Sequence, residues 1–384
     1  MEFIDLKQQY ERLKPRIHER INQVLAHGKF IMGPEVGELE KQLKAFVGAQ
    51  YCVSCANGTD ALLLSLMAHK VGPGDAVFTT PFTFIATAEV VCLLGATPVF
   101  VDIDPQTYNI DAGKLELAIA DIQQGKKTLD GKQSTLKPKG IIAVDVFGLP
   151  ADYDAINRIA RQHGLFVLED AAQSLGGSYK GKRVGNLTDI AATSFFPAKP
   201  LGGYGDGGAI FTNDEVMASN LRSLREHGKG SHKYDNVRIG INGRLDTLQA
   251  AILLAKMEIF ESEIKMRQEI AGRYSSELKE FLQVPVIPDG LVSAWAQYSV
   301  VTDHREDCLN ALKEKGIPTA IYYPRPLHLQ TAFACLGYRA GDFPFAERLS
   351  ERIFSLPMHP YLHSAEQEKV IEAIREVYQA VTKG

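Results

Sequence analysis

The chain comprises 384 residues, 45% of them apolar and 23% charged, with a formal net charge of −4. At this length roughly three quarters of the unfolded surface can be buried, which leaves room for two or three domains, or for one large α/β domain with an appendage, without cross-links. The mild negative charge, with no basic stripe, argues against nucleic acid or an anionic membrane surface as a partner.

The chain opens with "MEFIDLKQQYERLKPRI", a charged helical pattern rather than the basic start and apolar core of a signal peptide. No run of about eighteen apolar residues occurs, so no spanning helix is expected, and the expected location is the cytoplasm. From residue 34 to residue 250, short apolar runs alternate with helical patterns. Strands are expected at "YCVSCA", "DAVFTT", "TPVFVDI", "GIIAVDVFG", "LFVLEDA", "IAATSFF" and "GGAIFTN". Several of these are apolar throughout, as in strands covered on both faces. Helices are expected at "GTDALLLSLMAHK" and at "ADYDAINRIARQHG", the latter stopped by Gly164. Such alternation predicts a mostly parallel sheet between helical layers.

The first strand carries a C-x-x-C pair, Cys52 and Cys55; the other cysteines are Cys92, Cys308 and Cys335. An odd, sparse set is not a disulfide framework, and no second ligand pair at zinc spacing accompanies it. The pair reads as two small buried side chains, and no metal is expected. The polar "DIQQGKKTLDGKQSTLKPKG" reads as an exposed loop insertion. After Arg244, the stretch "LDTLQAAILLAKMEIFESEIKMRQEIAGRYSSELKEFL" predicts a long bridging helix. Beyond it, "AQYSVVT" is a strand, while "REDCLNALKEKG", "FAERLSERIF" and "EQEKVIEAIREVYQAVTKG" are helical, which makes a smaller α+β domain. The expected division is 1–250 for the large domain with its N-terminal helix, and 251–384 for the bridging helix and small domain.

Three motifs carry chemistry. Asn57, Gly58 and Thr59 leave a strand and open an apolar helix, whose free N–H groups make an anion site or, alternatively, an ordinary cap. Glu169 and Asp170 end a buried strand, where α/β sheets present ligand-contacting groups; a carboxylate there needs a partner, either a salt bridge or a protonated heterocyclic nitrogen. Gln173 follows three residues on, with both donor and acceptor. Finally, "SFFPAKPLGGYGDGG" places Ser194 near an anion and Lys199 in a tight glycine-rich turn. A desolvated lysine loses its proton and condenses with aldehydes.

The order of these motifs resembles the fold-type I pyridoxal-phosphate enzymes, and more narrowly the nucleotide-sugar aminotransferases of the DegT family. The resemblance runs through "GKFIMGPEVGELEKQL", "ANGTDAL", "PFTFIATAEV", "EDAAQS", "SFFPAKPLGGYGDGG", "INGRLDTLQAAIL" and "YYPRPLHLQ". It implies a three-layer α/β/α large domain around a mostly parallel mixed sheet, a small C-terminal domain, and pyridoxal 5′-phosphate as cofactor. Lys199 would bond the cofactor's aldehyde and then carry the proton between substrate carbon and cofactor. Asp170 would pair with the pyridinium nitrogen, Gln173 would contact the ring's 3′-oxygen, and Phe84 would stack on the ring. Gly58, Thr59 and Ser194 would hold the phosphate. Asn242 would reach the phosphate of the neighbouring subunit, so that a homodimer shares its active sites. Arg244, Tyr322, Tyr323 and His328 would lie on the substrate side.

Retention of Lys199, where sugar-deoxygenating relatives carry histidine, favours amino transfer. The implied reaction moves an amino group from L-glutamate to a nucleotide-linked keto-sugar. "HGKFIMGPEV" and "SLPMHPYL" look most like enzymes acting at C3 of a UDP-linked 3-keto-hexose or hexuronate in bacterial surface polysaccharide synthesis. Tyr322, where those relatives tend to have histidine, and "PLHLQ" look closer to enzymes for dTDP-linked 3- or 4-keto-sugars. A cofactor-binding sensor without turnover is the reading from another class.

Overall fold

The computed structural model describes residues 1–125, 135–232 and 234–381. Its centre is a seven-stranded sheet made of β1 (Tyr51–Cys55), β2 (Asp75–Thr79), β3 (Thr97–Phe100), β4 (Lys137–Val144), β5 (Phe166–Asp170), β6 (Ile190–Ser194) and β7 (Gly208–Thr212), in the spatial order β1-β7-β6-β5-β4-β2-β3. Strands β2 to β6 pair in parallel, and β7 runs antiparallel between β1 and β6. The expected mixed, mostly parallel sheet is therefore present, and its strands are buried on both faces as their composition requires.

Helices α1 (Leu6–His27) and α2 (Pro34–Val47) precede the sheet; α3 (Gly58–Ala68), α4 (Ala86–Leu93), α5 (Ala112–Gln123), α6 (Tyr153–His163) and α7 (Glu215–Arg225) are woven through it. On one face, α3, α4 and α7 pack Leu62, Val90 and Leu221 onto Val53, Ile142, Leu168 and Ile210. On the other, α2 and the long α8 (Thr247–Leu278) cover Cys52, Ala191 and Phe211, while α5 and α6 cover Phe78, Ile141 and Val167. Cys52 and Cys55 thus face opposite layers, because an odd separation along a strand reverses the side chain. Both are buried, and desolvation raises both thiol pKa values.

Gly164 ends α6 in the left-handed conformation, as its position in sequence suggests. Helix α8 joins the two halves. Leu253, Leu254 and Phe260 belong to the core beneath the sheet, whereas Ile270, Tyr274 and Leu278 pack into the small domain. That domain contains β8 (Tyr298–Val301) and β9 (Ile353–Leu356), paired antiparallel, with α9 (Arg305–Glu314), α10 (Pro344–Arg352) and α11 (Ser364–Val381). Two expectations are corrected. "FAERLSERIF" stops being helical at Arg352, because Ile353 and Phe354 enter β9, fully buried. The polar segment around residue 130 is not all loop: residues 121–123 finish α5 and 137–140 begin β4, while 126–134 lie outside the described residues.

Candidate active site

The site lies at the C-terminal ends of the parallel strands, on the face covered by α3 and α4. Helix α3 begins immediately after β1. Asn57 caps it by accepting the Asp60 N–H at 2.7 Å. The N–H groups of Gly58 and Thr59 donate to no protein acceptor among the described residues, as the first turn of a helix leaves them. Ser194, at the end of β6, lies against them. A Cβ on Gly58 would stand 2.7 Å from Ser194 Cβ and 3.1 Å from its Oγ. Two free N–H groups, a hydroxyl and the helix dipole make a cradle for a phosphate-sized anion.

Alternation along β5 decides where its two acids point. Asp170 turns to the α3–α4 face. Glu169 turns to the other, where its oxygens accept the Gly185 and Leu187 N–H groups at 2.7 and 3.2 Å. Asp170 is 4% exposed; its Oδ2 accepts the Thr87 hydroxyl at 2.9 Å and its Oδ1 the Ala172 N–H at 3.2 Å. Burial raises its pKa, against which Thr87, Ala172 and the charge on Lys199 act.

A third acid, Asp145, sits behind it at the end of β4, accepting from Tyr153 Oη at 2.7 Å, Ser174 Oγ at 2.6 Å and the Ala151 N–H at 2.9 Å. Burial pushes it up to about 7. These bonds hold the Val146–Gly148 turn, whose Phe147 N–H donates to Gln173 Oε1 at 2.6 Å. Gln173 Nε2 donates to Tyr323 Oη at 2.7 Å. One amide N–H of Gln173 therefore remains for a ligand oxygen.

Lys199 follows β6 on a compact turn, with its N–H donating to Phe196 O at 2.9 Å and the Gly203 N–H donating to Phe195 O at 2.8 Å. Gly202 is required there, since a Cβ would lie 2.3 Å from Pro197 O. Lys199 keeps part of its surface open, yet desolvation lowers the pKa of its amine, with Asp170 acting in the opposite sense. Lys199 forms no ion pair among the described residues. Phe84, 57% exposed in the loop before α4, is an uncovered ring close in sequence to Thr87. An amine ready to condense, a buried acid, a free amide N–H and an anion cradle converge on one sheet edge. This donor set fits pyridoxal 5′-phosphate.

The remaining positions divide. Asn242 bridges Glu226, and Gly243 O accepts the Ala56 N–H at 2.9 Å, so the strand carrying Asn242 and Arg244 runs beside the end of β1. Arg244 makes no salt bridge among the described residues, and its buried Nε has no partner. It borders a cavity of about 740 Å³ lined also by Lys229, Arg238 and one carboxylate, Glu226, so that cations outnumber acids there and phosphate or carboxylate suits it. Tyr322 is half-buried, 6.5 Å from the Phe3 ring.

His328 is corrected. Its side chain is enclosed, Nε2 lies 3.0 Å from Glu347 Oε1, and its ring packs on Phe343, so it presents no surface to a substrate. Sequence reasoning missed Thr83, Thr87, Asp145 and Ser174. Only the i, i+4 threonines of "PFTFIATAEV" carried a local signal.

The chain is similar to known proteins along nearly its whole length. The profile of the DegT/DnrJ/EryC1/StrS aminotransferase family matches residues 11–375. A UDP-2-acetamido-2-deoxy-3-oxo-D-glucuronate aminotransferase of Pseudomonas aeruginosa is 51% identical over 97% of this chain and 99% of its own. A pleiotropic regulatory protein of Geobacillus stearothermophilus is 43% identical over 98% of each chain. The crystal structure of a DegT DnrJ EryC1 StrS aminotransferase from Brucella abortus superposes with a TM-score of 0.94 at 52% identity, covering 98% of this chain and 99% of that one.

Proposed function

The chain belongs to the DegT/DnrJ/EryC1/StrS aminotransferase family, whose members depend on pyridoxal phosphate, and from that premise we propose that it moves an amino group from L-glutamate to a UDP-linked 3-keto-hexose or hexuronate. The cytoplasm is the proposed location and surface polysaccharide, including O-antigen, the proposed destination. One observation carries the reading: Lys199, Asp170 and the Gly58–Thr59–Ser194 cradle converge on one sheet edge. The likeness to the Pseudomonas 3-oxo-glucuronate enzyme supports the sugar.

When bound, the cofactor supplies an aldehyde that condenses with amines and a ring that accepts the electron pair left when a proton departs from the neighbouring carbon. The protein does the rest. The α3 N–H groups and Ser194 anchor the phosphate. Asp170, buried beside the site, would hold a proton on the ring nitrogen. Gln173 would donate its free N–H to the ring oxygen, and Phe84 would supply an aromatic face for the ring. Lys199, its amine biased toward the neutral form, is the base that takes the substrate proton and returns it. Arg244, with the neighbouring cations, receives negative groups of the sugar nucleotide. Tyr322 and Tyr323 would lie on the substrate side, with Tyr323 also holding the Gln173 amide. Asn242 extends to the phosphate of a second copy, making a homodimer the working unit.

The test is turnover with glutamate against UDP- and dTDP-linked 3- and 4-keto-sugars, with product mass as readout. Preference for a dTDP-linked sugar would overturn the UDP assignment. The regulatory relative favours a second reading, a sensor without turnover. Glutamate alone separates the two, since it bleaches the visible band of the lysine-bound cofactor in a transaminase, and an unmoved spectrum with every amino donor would leave the sensor.

A further inference from the structure

We propose that Thr87 is a positioning residue for the reaction: its hydroxyl, itself held by Thr83, fixes the Asp170 carboxylate as an acceptor aimed at the cofactor's ring nitrogen. The proposal rests on the reading of Asp170 given above. Thr83, Thr87 and Asp170 are 3%, 1% and 4% exposed, so no water competes along this chain. Thr87 Oγ1 lies 2.9 Å from Asp170 Oδ2 and 3.1 Å from Thr83 Oγ1.

An ionised carboxylate only accepts, so Thr87 gives its single proton to Asp170, and Thr83 must then donate to Thr87. The direction of the chain is thereby set by the charge on the acid. With the Ala172 N–H on Oδ1, each carboxylate oxygen accepts one protein donor and keeps a lone pair for the ring.

The charged surroundings make the donor matter. Burial opposes the ionised acid and Lys199 favours it. The other titratable groups that face Asp170 are the buried Asp145 and Glu169 carboxyls and the Tyr153 and Tyr323 phenols, each raised by its charge. An acid buried among acids stays ionised only if its oxygens are hydrogen-bonded. Thr83 and Thr87 flank Phe84 in sequence, so one short segment sets both the ring's face contact and the state of its acid partner.

The experiment compares Thr87→Val, which keeps the shape and loses the hydroxyl, with Thr87→Ser, which keeps the hydroxyl. Two quantities are read: the dissociation constant of pyridoxal phosphate from apoenzyme, by absorbance titration, and the acid limb of kcat/KM against pH in the holoenzyme. Loss of one hydrogen bond to a buried charge should weaken cofactor binding about tenfold or more and move the acid limb up by about one pH unit. Thr87→Ser should restore both. If Thr87→Val does not fold, Thr87→Ala carries the same comparison against Thr87→Ser.

Wild-type affinity and limb in the hydroxyl-free variant overturn the proposal, as does a loss that serine fails to restore. Asp170→Asn separates the two levels. If it too behaves as wild type, the assignment of Asp170 falls and the proposal with it. If it is impaired while Thr87→Val is normal, only the role of Thr87 falls.

Discussion

The closest approach in the phosphate cradle gives the sharpest stability and binding test. In Gly58→Ala the new Cβ would stand 2.7 Å from Ser194 Cβ and 3.3 Å from its Cα. Carbon atoms at ease lie about 3.5–4.0 Å apart, so helix α3 and the end of β6 must separate by about 1 Å. Rotation cannot relieve the clash, because a Cβ moves only with its own backbone. Overpacking of this kind costs about 1–3 kcal/mol.

The same displacement pulls the Gly58 and Thr59 N–H groups away from Ser194 Oγ, so the three donors no longer meet on one anion. Losing one charge-assisted bond of about 1.5–3 kcal/mol corresponds to roughly a 10- to 100-fold rise in the cofactor's dissociation constant. Absorbance titration of apoenzyme measures this, and thermal melting of apoenzyme measures the packing cost. Gly272→Ala is the control. Gly272 is an exposed site inside α8 where a Cβ meets nothing within 4 Å, and alanine there should stabilise by about 0.5–1 kcal/mol. A Gly58→Ala protein with wild-type affinity and melting temperature would refute the close-approach argument.

Lys199→Ala should abolish turnover while the cradle still retains pyridoxal phosphate without a covalent bond; normal steady-state rates would end the assignment of Lys199. Burial pulls the amine of Lys256 down to about 8 from its usual 10.5, with the Tyr204 ring 4.3 Å away as its contact. Between those values the unfolded chain binds the extra proton, so stability rises with pH through the window. Lys256→Met should therefore be more stable at pH 7, by up to about 3 kcal/mol, with the gain vanishing toward pH 10.5; melting curves of the two proteins that stay parallel across that range contradict it. Arg225 Nη1 bonds Glu40 at 2.7 Å and Ser54 O at 2.8 Å at the inner end of α7, with Arg225 2% exposed. Arg225→Met leaves the Glu40 carboxylate without its counter-charge, held only by the Ser54 N–H and hydroxyl at 2.9 and 2.8 Å, and should cost about 3 kcal/mol, read as a lower urea midpoint at unchanged slope.

Much of this site is written locally. A strand's apolar run, the cap that follows it and the glycines of a tight turn are all set by neighbours in sequence. "VLEDAAQ", "ANGTDAL" and "SFFPAKPLGG" therefore announce an acid, a cradle and an amine before any fold is known. Alternation along β5 even separates the roles of Glu169 and Asp170 once the two helical layers are in place. What no local pattern contains is which distant polar atoms meet. Thr87 reaches Asp170 across 83 residues, and Gln173 reaches Tyr323 across 150.

The same holds for His328 of "PLHLQ", whose side chain folds inward onto Glu347, and for Ile353 and Phe354, drawn from a helical pattern into a strand by pairing with β8. Hydrogen bonds are short and directional, and burial is a property of packed layers. Neighbours along the chain therefore set the layers and the candidate groups. Packing alone chose which partners orient those groups and which candidate side chain, His328, ended enclosed.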